Sequence, residues 1–385
     1  MLELQYVVQN YAWGKPGLSS SVAQLKAAAD KAFVVDDNAT YAELWMGTHP
    51  NGPSRVVRDG SPAELLSELV QVLSVQKALS IQAHPDLPLA RKLHANFPDL
   101  YKDPNHKPEM AIALTPFEAL CQFRPLNEIA EYLRSVPELT ALVDPEAVDE
   151  LINAPSEDSL RKFFHSFVYA EKEAIAAQLK TLCSRLEAQQ GAKPLSNLEQ
   201  LVLRLHDEYQ DDIGCFCPFI LNYVTLKPGE ALYLGANEPH AYLSGDCMEC
   251  MAGSDNVVRA GLTPKFIDKE TLHKMLTYRT GLPAITSGER VDSVTRIYTP
   301  PVPEFEVEAI EVVSEQKYTL SVRTGASILL IVAGEGIATT QHERYDLARG
   351  RVFFLPAGEQ VALEASSNLT IFRASPNEHL VEGSS

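Results

Sequence analysis

Four residues on segments of β character offer a mixed nitrogen and oxygen donor set: Gln82, His84, Glu109 and His240. Two imidazoles and a carboxylate suit Zn2+, and also Fe2+ or Mn2+, with a glutamine oxygen as a weaker fourth donor. The chain has 10 histidines, so spacing alone does not single this set out. A rival set is Cys215-x-Cys217 with Cys247-x-x-Cys250, four thiolates at a spacing zinc accepts. Its neighbours Phe216 and Met248 read as core strand, where free cysteine is a small buried hydrophobe, and an extended chain turns Cys247 and Cys250 to opposite faces. Beside these donors stand groups that move protons or hold anions. Glu249 lies among Met248, Met251 and Ala252, where desolvation raises a carboxyl pKa into the range useful for acid–base work. Asp255 follows it. Arg259, Lys265 and Lys107 together can form a cationic pocket for a phosphate, although each alone reads as an ordinary surface base.

The elements that must position these groups are short strands between turns. Pro228-Gly229 reads as a turn, Ala231 to Leu234 as a buried strand, and Gly235 to Glu238 as a break. Pro239 then fixes the chain before His240, and in an extended segment His240 and Tyr242 share a face. Upstream, Ser80, Gln82 and His84 alternate with Leu79, Ile81 and Ala83, and this polar row reads as the wet interior of a barrel. In Asp103 to Met110 the prolines Pro104 and Pro108 force extended backbone, which puts Lys107 and Glu109 on one face. Ala111 to Phe123 reads as a strand pair broken at Thr115-Pro116. A second copy of the Gly229 segment lies 121 residues downstream: Leu226, Gly229, Leu234, Ala236, Glu238 and Ala241 match Leu347, Gly350, Leu355, Ala357, Glu359 and Ala362. His240 there becomes Val361, so two related β units are expected, one with a ligand residue and one without.

The remaining chain supports them. Met1 to Val57 is turn-rich with short strands. Ser61-Pro62-Ala63-Glu64 reads as a helix start, with Leu65, Leu66, Leu69, Val72 and Leu73 at helical spacing. Asp86 caps a helix to Phe97. From Leu126 to Gln210 the period is 3.6 residues, a helical block inserted into β structure. Ile213 to Lys265 returns to strands, a helix candidate lies in Lys265 to Thr280, and Ile285 to Leu380 is strand-rich, with the tail after Ser375 expected to be weakly ordered.

Composition bounds the function. At 385 residues, two or three domains are expected. A formal net charge of −18 argues against nucleic acid or an anionic membrane as the main partner, but leaves room for a small anion in a cationic pocket. The 6 cysteines read as reduced thiols, no segment reads as an export signal or a membrane span, and a cytoplasmic location is expected.

The second copy, GRVFFLPAGEQV, fits a G-x5-P-x-G pattern and resembles the second motif of cupin jelly rolls. The whole chain resembles the type I mannose-6-phosphate isomerases. The resemblance rests on QNYAWG (Gln9–Gly14), AELWMGTHPNGPS (Ala42–Ser54), LSIQAHP (Leu79–Pro85), DPNHKPEMAIAL (Asp103–Leu114) and GANEPHAYLSGD with ECMAGSDNVVRAGLTPK. It implies a mainly β fold with an α insertion: a cupin-like jelly-roll β-barrel from 1–124 and 211–265, a helical domain at 125–210, and a second jelly roll at 266–385 without metal ligands. It also implies one zinc per chain, a small phosphosugar as partner, a monomer, and interconversion of mannose 6-phosphate and fructose 6-phosphate through an enediol, feeding GDP-mannose synthesis. Residue by residue, Gln82, His84, Glu109 and His240 match the family's zinc ligands and Arg259 its active-site arginine. Glu249, Lys107 and Asp255 are implied as catalytic candidates. Trp13, Ser80, His106, Tyr242 and Lys265 are implied to line the substrate pocket. The general base stays open among Glu249, Lys107, His106 and Asp255. One departure stands out: where the family reads FKVL before LSIQAHP, this chain has Gln71 in place of lysine. A metal-dependent oxygenase and a non-catalytic sugar-binding protein are the alternatives from other classes.

Overall fold

A computed structural model describes residues 1–49, 51–58, 68–190 and 193–381. Its first body is an eleven-stranded antiparallel sheet. The long strand His240–Ala252 is its spine, pairing along its length with Glu68–Val75, Ile81–Ala83, Glu109–Ala113 and Phe117–Phe123. The second body has an eight-stranded and a four-stranded sheet. This is the mainly β architecture with a helical insertion that the motifs imply.

Strict alternation sends neighbouring residues into different cores. Ala111, Ala113, Leu73, Cys247 and Tyr242 share one apolar cluster inside the first jelly roll, against which Trp13 packs. The intervening Met110, Ile112, Val70, Val72, Met248 and Cys250 face the other way and pack against Val307, Leu330, Phe354 and Phe372 of the second body. Each two-faced strand thus has one side on the cavity and one on a neighbour, which is why these strands read as nearly continuous apolar runs. Elsewhere Ile81, Ala83, Leu120, Ala241, Val258 and Ala260 pack against the helices.

The helical block spans the helices from Leu126–Ser135 to Asn197–Glu208. Ser156 and Ser196 each cap a helix by accepting from a backbone N–H three residues on. The helix Leu87–Asn96 starts as expected, with Asp86 Oδ1 accepting from the Leu89 N–H at 2.9 Å.

Four expectations are corrected. The helix start at Ser61 lies outside the described residues, but its proposed continuation is the strand Glu68–Val75. Val70, Val72 and Val75 are poor in a helix and good in a sheet, and pairing on both sides, with Glu43–Gly47 and His240–Ala252, decides the matter. The segment around Cys215 and Cys217 is a 3-10 helix, Ile213–Phe219, rather than a strand. The turn-rich N-terminal region holds a helix, Ser21–Ala29, capped by Ser20. The described part of the tail after Ser375 is fixed: Asn377 is fully buried and Glu378 accepts from Thr324 Oγ1 at 2.8 Å.

The internal repeat is structural. Gly229 and Gly350 both take positive φ, +83° and +85°, at the turn before equivalent strands, Ala231–Leu234 and Val352–Leu355. Glycine is favoured there because other residues are strained in that region. Downstream, His240 and Val361 are both buried, one among polar groups and one in an apolar cluster. The two bodies also exchange chain: Leu2–Gln5 leaves the N-terminal segment to pair with Val352–Leu355, so the second sheet is completed from outside residues 266–385.

Candidate active site

His84, Glu109 and His240 are brought together as a buried cluster, with one donor atom from each within 4.8 Å of the others. Glu109 Oε1 lies 3.3 Å from His84 Nε2, and its Oε2 lies 3.4 Å from His240 Nε2. The outer ring nitrogens are already engaged. His84 Nδ1 lies 2.7 Å from the Asn256 carbonyl, and His240 Nδ1 lies 3.0 Å from the Glu238 carbonyl. A carbonyl only accepts, so each Nδ1 carries the proton and each Nε2 presents a lone pair to the cluster. His240 Nε2 is buried without a hydrogen-bond partner in the described structure. Neutral imidazoles oriented by outer hydrogen bonds, aimed with a carboxylate at one point, fit a zinc ion.

Gln82, the fourth residue of the expected donor set, stands beside this cluster. It faces His240 in sheet register, and its amide lies 3.5 Å from His84 Nε2. Ser80 Oγ donates to Gln82 Oε1 at 3.3 Å, orienting the amide. The rival thiolate set does not form among the described residues; Cys215, Cys217, Cys247 and Cys250 are buried thiols, and burial pushes the pKa of Cys215, Cys217 and Cys247 upward, against metal binding.

The electrostatics follow from burial and charge. Burial opposes ionisation of Glu109, but Lys107 and His84 outweigh it and hold its carboxyl well below the usual range. Lys107 Nζ lies 2.9 Å from Glu109 Oε1; burial opposes its charge, and Glu109 with Glu249 nonetheless raises its pKa. Burial lowers the pKa of His84, the direction a metal ligand needs. Glu249 is pushed up to about 8, first by burial and then by repulsion from Glu109. Its Oε1 accepts from Tyr242 Oη at 2.6 Å and its Oε2 from the Gln71 amide, which lies directly opposite in register.

Arg259 faces Gln82 from the far side, so His240, Gln82 and Arg259 form one row across three strands. It makes no ion pair among the described residues, and burial alone lowers its pKa. Trp13 packs on the apolar cluster that includes Tyr242. Three expected site residues stand apart. Asp255 has a largely exposed side chain paired with His49 at 3.2 Å. The His106 ring is engaged by Glu304 of the second jelly roll. Lys265 is exposed and lines a cavity of about 660 Å3 shared with Lys172 and Lys269, on the side of the helices.

Two groups escaped the reading of the sequence. Glu43 belongs to the same cross-strand ladder as Leu73 and Cys247; burial pushes it up to about 7 against the opposing bond from the Trp45 indole. Its signal was a single acid at the head of an otherwise apolar strand, ELWMG. Asn256 joins the site to its loop: its carbonyl orients His84 while its amide donates to the Asp103 and Asn105 carbonyls at 2.7 and 2.9 Å.

Residues 1–65 and 59–126 match the family profile "Phosphomannose isomerase type I, catalytic domain", 138–221 the helical insertion domain of the same family, and 296–374 "Mannose-6-phosphate isomerase, cupin domain". Mannose-6-phosphate isomerase of Bos taurus is 44% identical over 415 residues, covering 96% of this chain and 97% of the relative. Mannose-6-phosphate isomerase 1 of Arabidopsis thaliana is 41% identical, covering 98% and 94%. Mannose 6-phosphate isomerase from Salmonella typhimurium, solved bound to its substrate and a zinc atom, superposes with a TM-score of 0.84 at 30% identity, covering 98% and 99%. The matches span all three parts of the molecule, and this chain belongs to the type I phosphomannose isomerase family.

Proposed function

We propose that the protein is a zinc-dependent aldose–ketose isomerase that interconverts mannose 6-phosphate and fructose 6-phosphate, a step that feeds GDP-mannose synthesis. The observation that carries this is the cluster of His84, Glu109 and His240 with both Nε2 atoms turned inward, beside an Arg259 without an ion pair in the same strand row. The chemistry is assigned to segments 1–124 and 211–265, with 125–210 and 266–385 as supports. A monomeric enzyme is part of the proposal.

Gln82, His84, Glu109 and His240 would hold the metal, which when bound would supply Lewis-acid polarisation of the sugar oxygens. Arg259 keeps its charge, and we assign it the negative charge of the enediolate, where it would stabilise the transition state more than the sugar itself. The isomerisation carries one proton between C2 and C1. Among the candidate bases, Asp255 is held at the rim by His49, His106 by Glu304, and Lys107 is kept charged by its carboxylate neighbours. Glu249 is the group whose ionisation falls near neutrality, and we assign it the proton transfer, with Tyr242 and Gln71 fixing its carboxylate. Ser80 and Arg259 are assigned the substrate's polar end, and Trp13 the apolar wall.

Turnover of mannose 6-phosphate is measured before and after chelation and zinc re-addition. Activity lost with chelator and regained with zinc supports reaction and metal together. No turnover in folded, zinc-loaded protein overturns the assignment; sugar binding without turnover would leave a binding protein, and oxygen consumption an oxygenase.

A further inference from the structure

Lys107 reaches Glu109 from an irregular loop, and the anchors of that loop come from both jelly rolls. Within the first, Asp103 accepts from Ser254 Oγ and from the Asp255 N–H, each at 2.8 Å, and the Asn105 carbonyl accepts from Asn256 Nδ2 at 2.9 Å. The next residue, His106, turns its Nε2 to the carboxylate of Glu304. Glu304 sits in the connection between the strands Thr295–Tyr298 and Glu306–Val312 of the second jelly roll. That connection is itself pinned. Asn377, fully buried, donates its amide to the carbonyls of Pro300 and Val302 at 2.9 and 2.8 Å, and its N–H to Pro303 at 3.1 Å. The other oxygen of Glu304, Oε2, is buried without a hydrogen-bond partner in the described structure. After His106 the backbone enters sheet pairing only at Glu109.

We propose that Glu304 is a positioning residue: the second jelly roll, which has no metal ligands, fixes where Lys107 stands by holding His106. The proposal rests on the isomerase reading above. A lysine on a flexible stem keeps its place only if its backbone does, and displacement of a charged group by about 1 Å costs up to roughly a hundredfold in rate. Glu109 is laddered on both sides, so the metal site itself is insulated from this contact.

The rival explanation is that Glu304 merely glues two bodies together. A second bond between them provides the control: Tyr298 Oη donates to the Gly229 carbonyl at 2.7 Å, and Tyr298→Phe removes it without removing the buried ring. The experiment measures kcat and KM for mannose 6-phosphate on zinc-loaded full chains of wild type, Glu304→Gln, Tyr298→Phe, Lys107→Gln and the Glu304→Gln/Lys107→Gln double variant, with zinc affinity by chelator competition. Expected is a fall in kcat of about tenfold for Glu304→Gln. KM and zinc affinity stay within about twofold, since the ligands are placed by the sheet. Tyr298→Phe keeps the wild-type kcat, and the double variant is no slower than Lys107→Gln alone, as expected for residues acting through one another. An unchanged kcat in Glu304→Gln, an equal loss in Tyr298→Phe, or multiplicative losses in the double variant would overturn the proposal. Failure of wild type to isomerise at all would instead sink the isomerase reading, and this proposal with it.

Discussion

Arg259 stands directly opposite Gln82 in antiparallel register, and Gln82 stands opposite His240, so these three residues are rungs of a single ladder. Neighbouring strands lie about 4.8 Å apart, which sets the spacing between the groups without help from any loop. Removing the guanidinium should therefore leave the donors in place. Arg259→Ala is expected to lower kcat about 100- to 1000-fold, the range for loss of one charge-stabilising donor, with bound zinc unchanged by metal analysis. Loss of zinc in that variant would show that Arg259 supports the fold of the site instead.

Glu109 carries two imidazoles and an ammonium on its two oxygens. Glu109→Gln is expected to abolish stoichiometric zinc binding. In the metal-free protein it also leaves the Lys107 charge without its closest counter-charge, which costs roughly 3 kcal/mol. Chemical denaturation of the chelated protein reads this, and a stability equal to wild type would mean that Lys107 swings out to water.

Glu249 makes a pH prediction with a definite sign. Its pKa is raised by folding from an ordinary 4.5 to about 8, chiefly by burial, so the folded metal-free protein holds a proton that the unfolded chain gives up. Stability from this group is fully present below about pH 4.5 and is lost as pH rises toward 8. Thermal melts of chelated protein between pH 5 and 8 should slope downward, and Glu249→Gln should flatten the slope while lowering kcat at least tenfold. Gln71→Lys, which sets a cation against the same carboxylate, should shift the fall in stability to higher proton concentration. Identical slopes in all three proteins would exclude Glu249 as the titrating group.

Val361 occupies the place of His240 in the second jelly roll, but inside an apolar cluster with Leu355, Leu363 and Ile371. Val361→His should bind no zinc and should destabilise by about 2 kcal/mol, since a buried imidazole without partners loses its hydration. Calorimetry with and without zinc checks both parts.

The cluster of His84, Glu109 and His240 was legible because each residue sits in a local pattern whose alternation fixes its face: Gln82-x-His84, Lys107-x-Glu109, and His240 after Pro239. The interior of the sheet was legible in part. Leu69, Val72 and Leu73 fit a helical period by count, and only pairing with two distant strands makes them a sheet. Helix and strand periods overlap over so short an apolar run. His106 could not be placed from sequence at all: its partner Glu304 is 198 positions away, in a connection with no motif. Lys265 was misleading for the opposite reason. It follows a recognisable segment, yet past Gly261 the strand has ended and the chain turns toward the helices.

The pairing of Leu2–Gln5 with Val352–Leu355 has a consequence for how the molecule comes into being. Leu2 meets Phe354, a partner 352 positions later. At a synthesis rate of about 5–20 residues per second, on the order of tens of seconds pass between the appearance of the two strands at the ribosome. In the last part of that interval, after Ala252 completes the spine, the outer faces of Glu68–Val75 and Glu109–Ala113, with Val70, Val72, Met110 and Ile112, have no second jelly roll to cover them. The nascent chain is then a half-sheathed sheet with an open apolar side, and whatever shields that side during synthesis governs how much active protein a cell obtains.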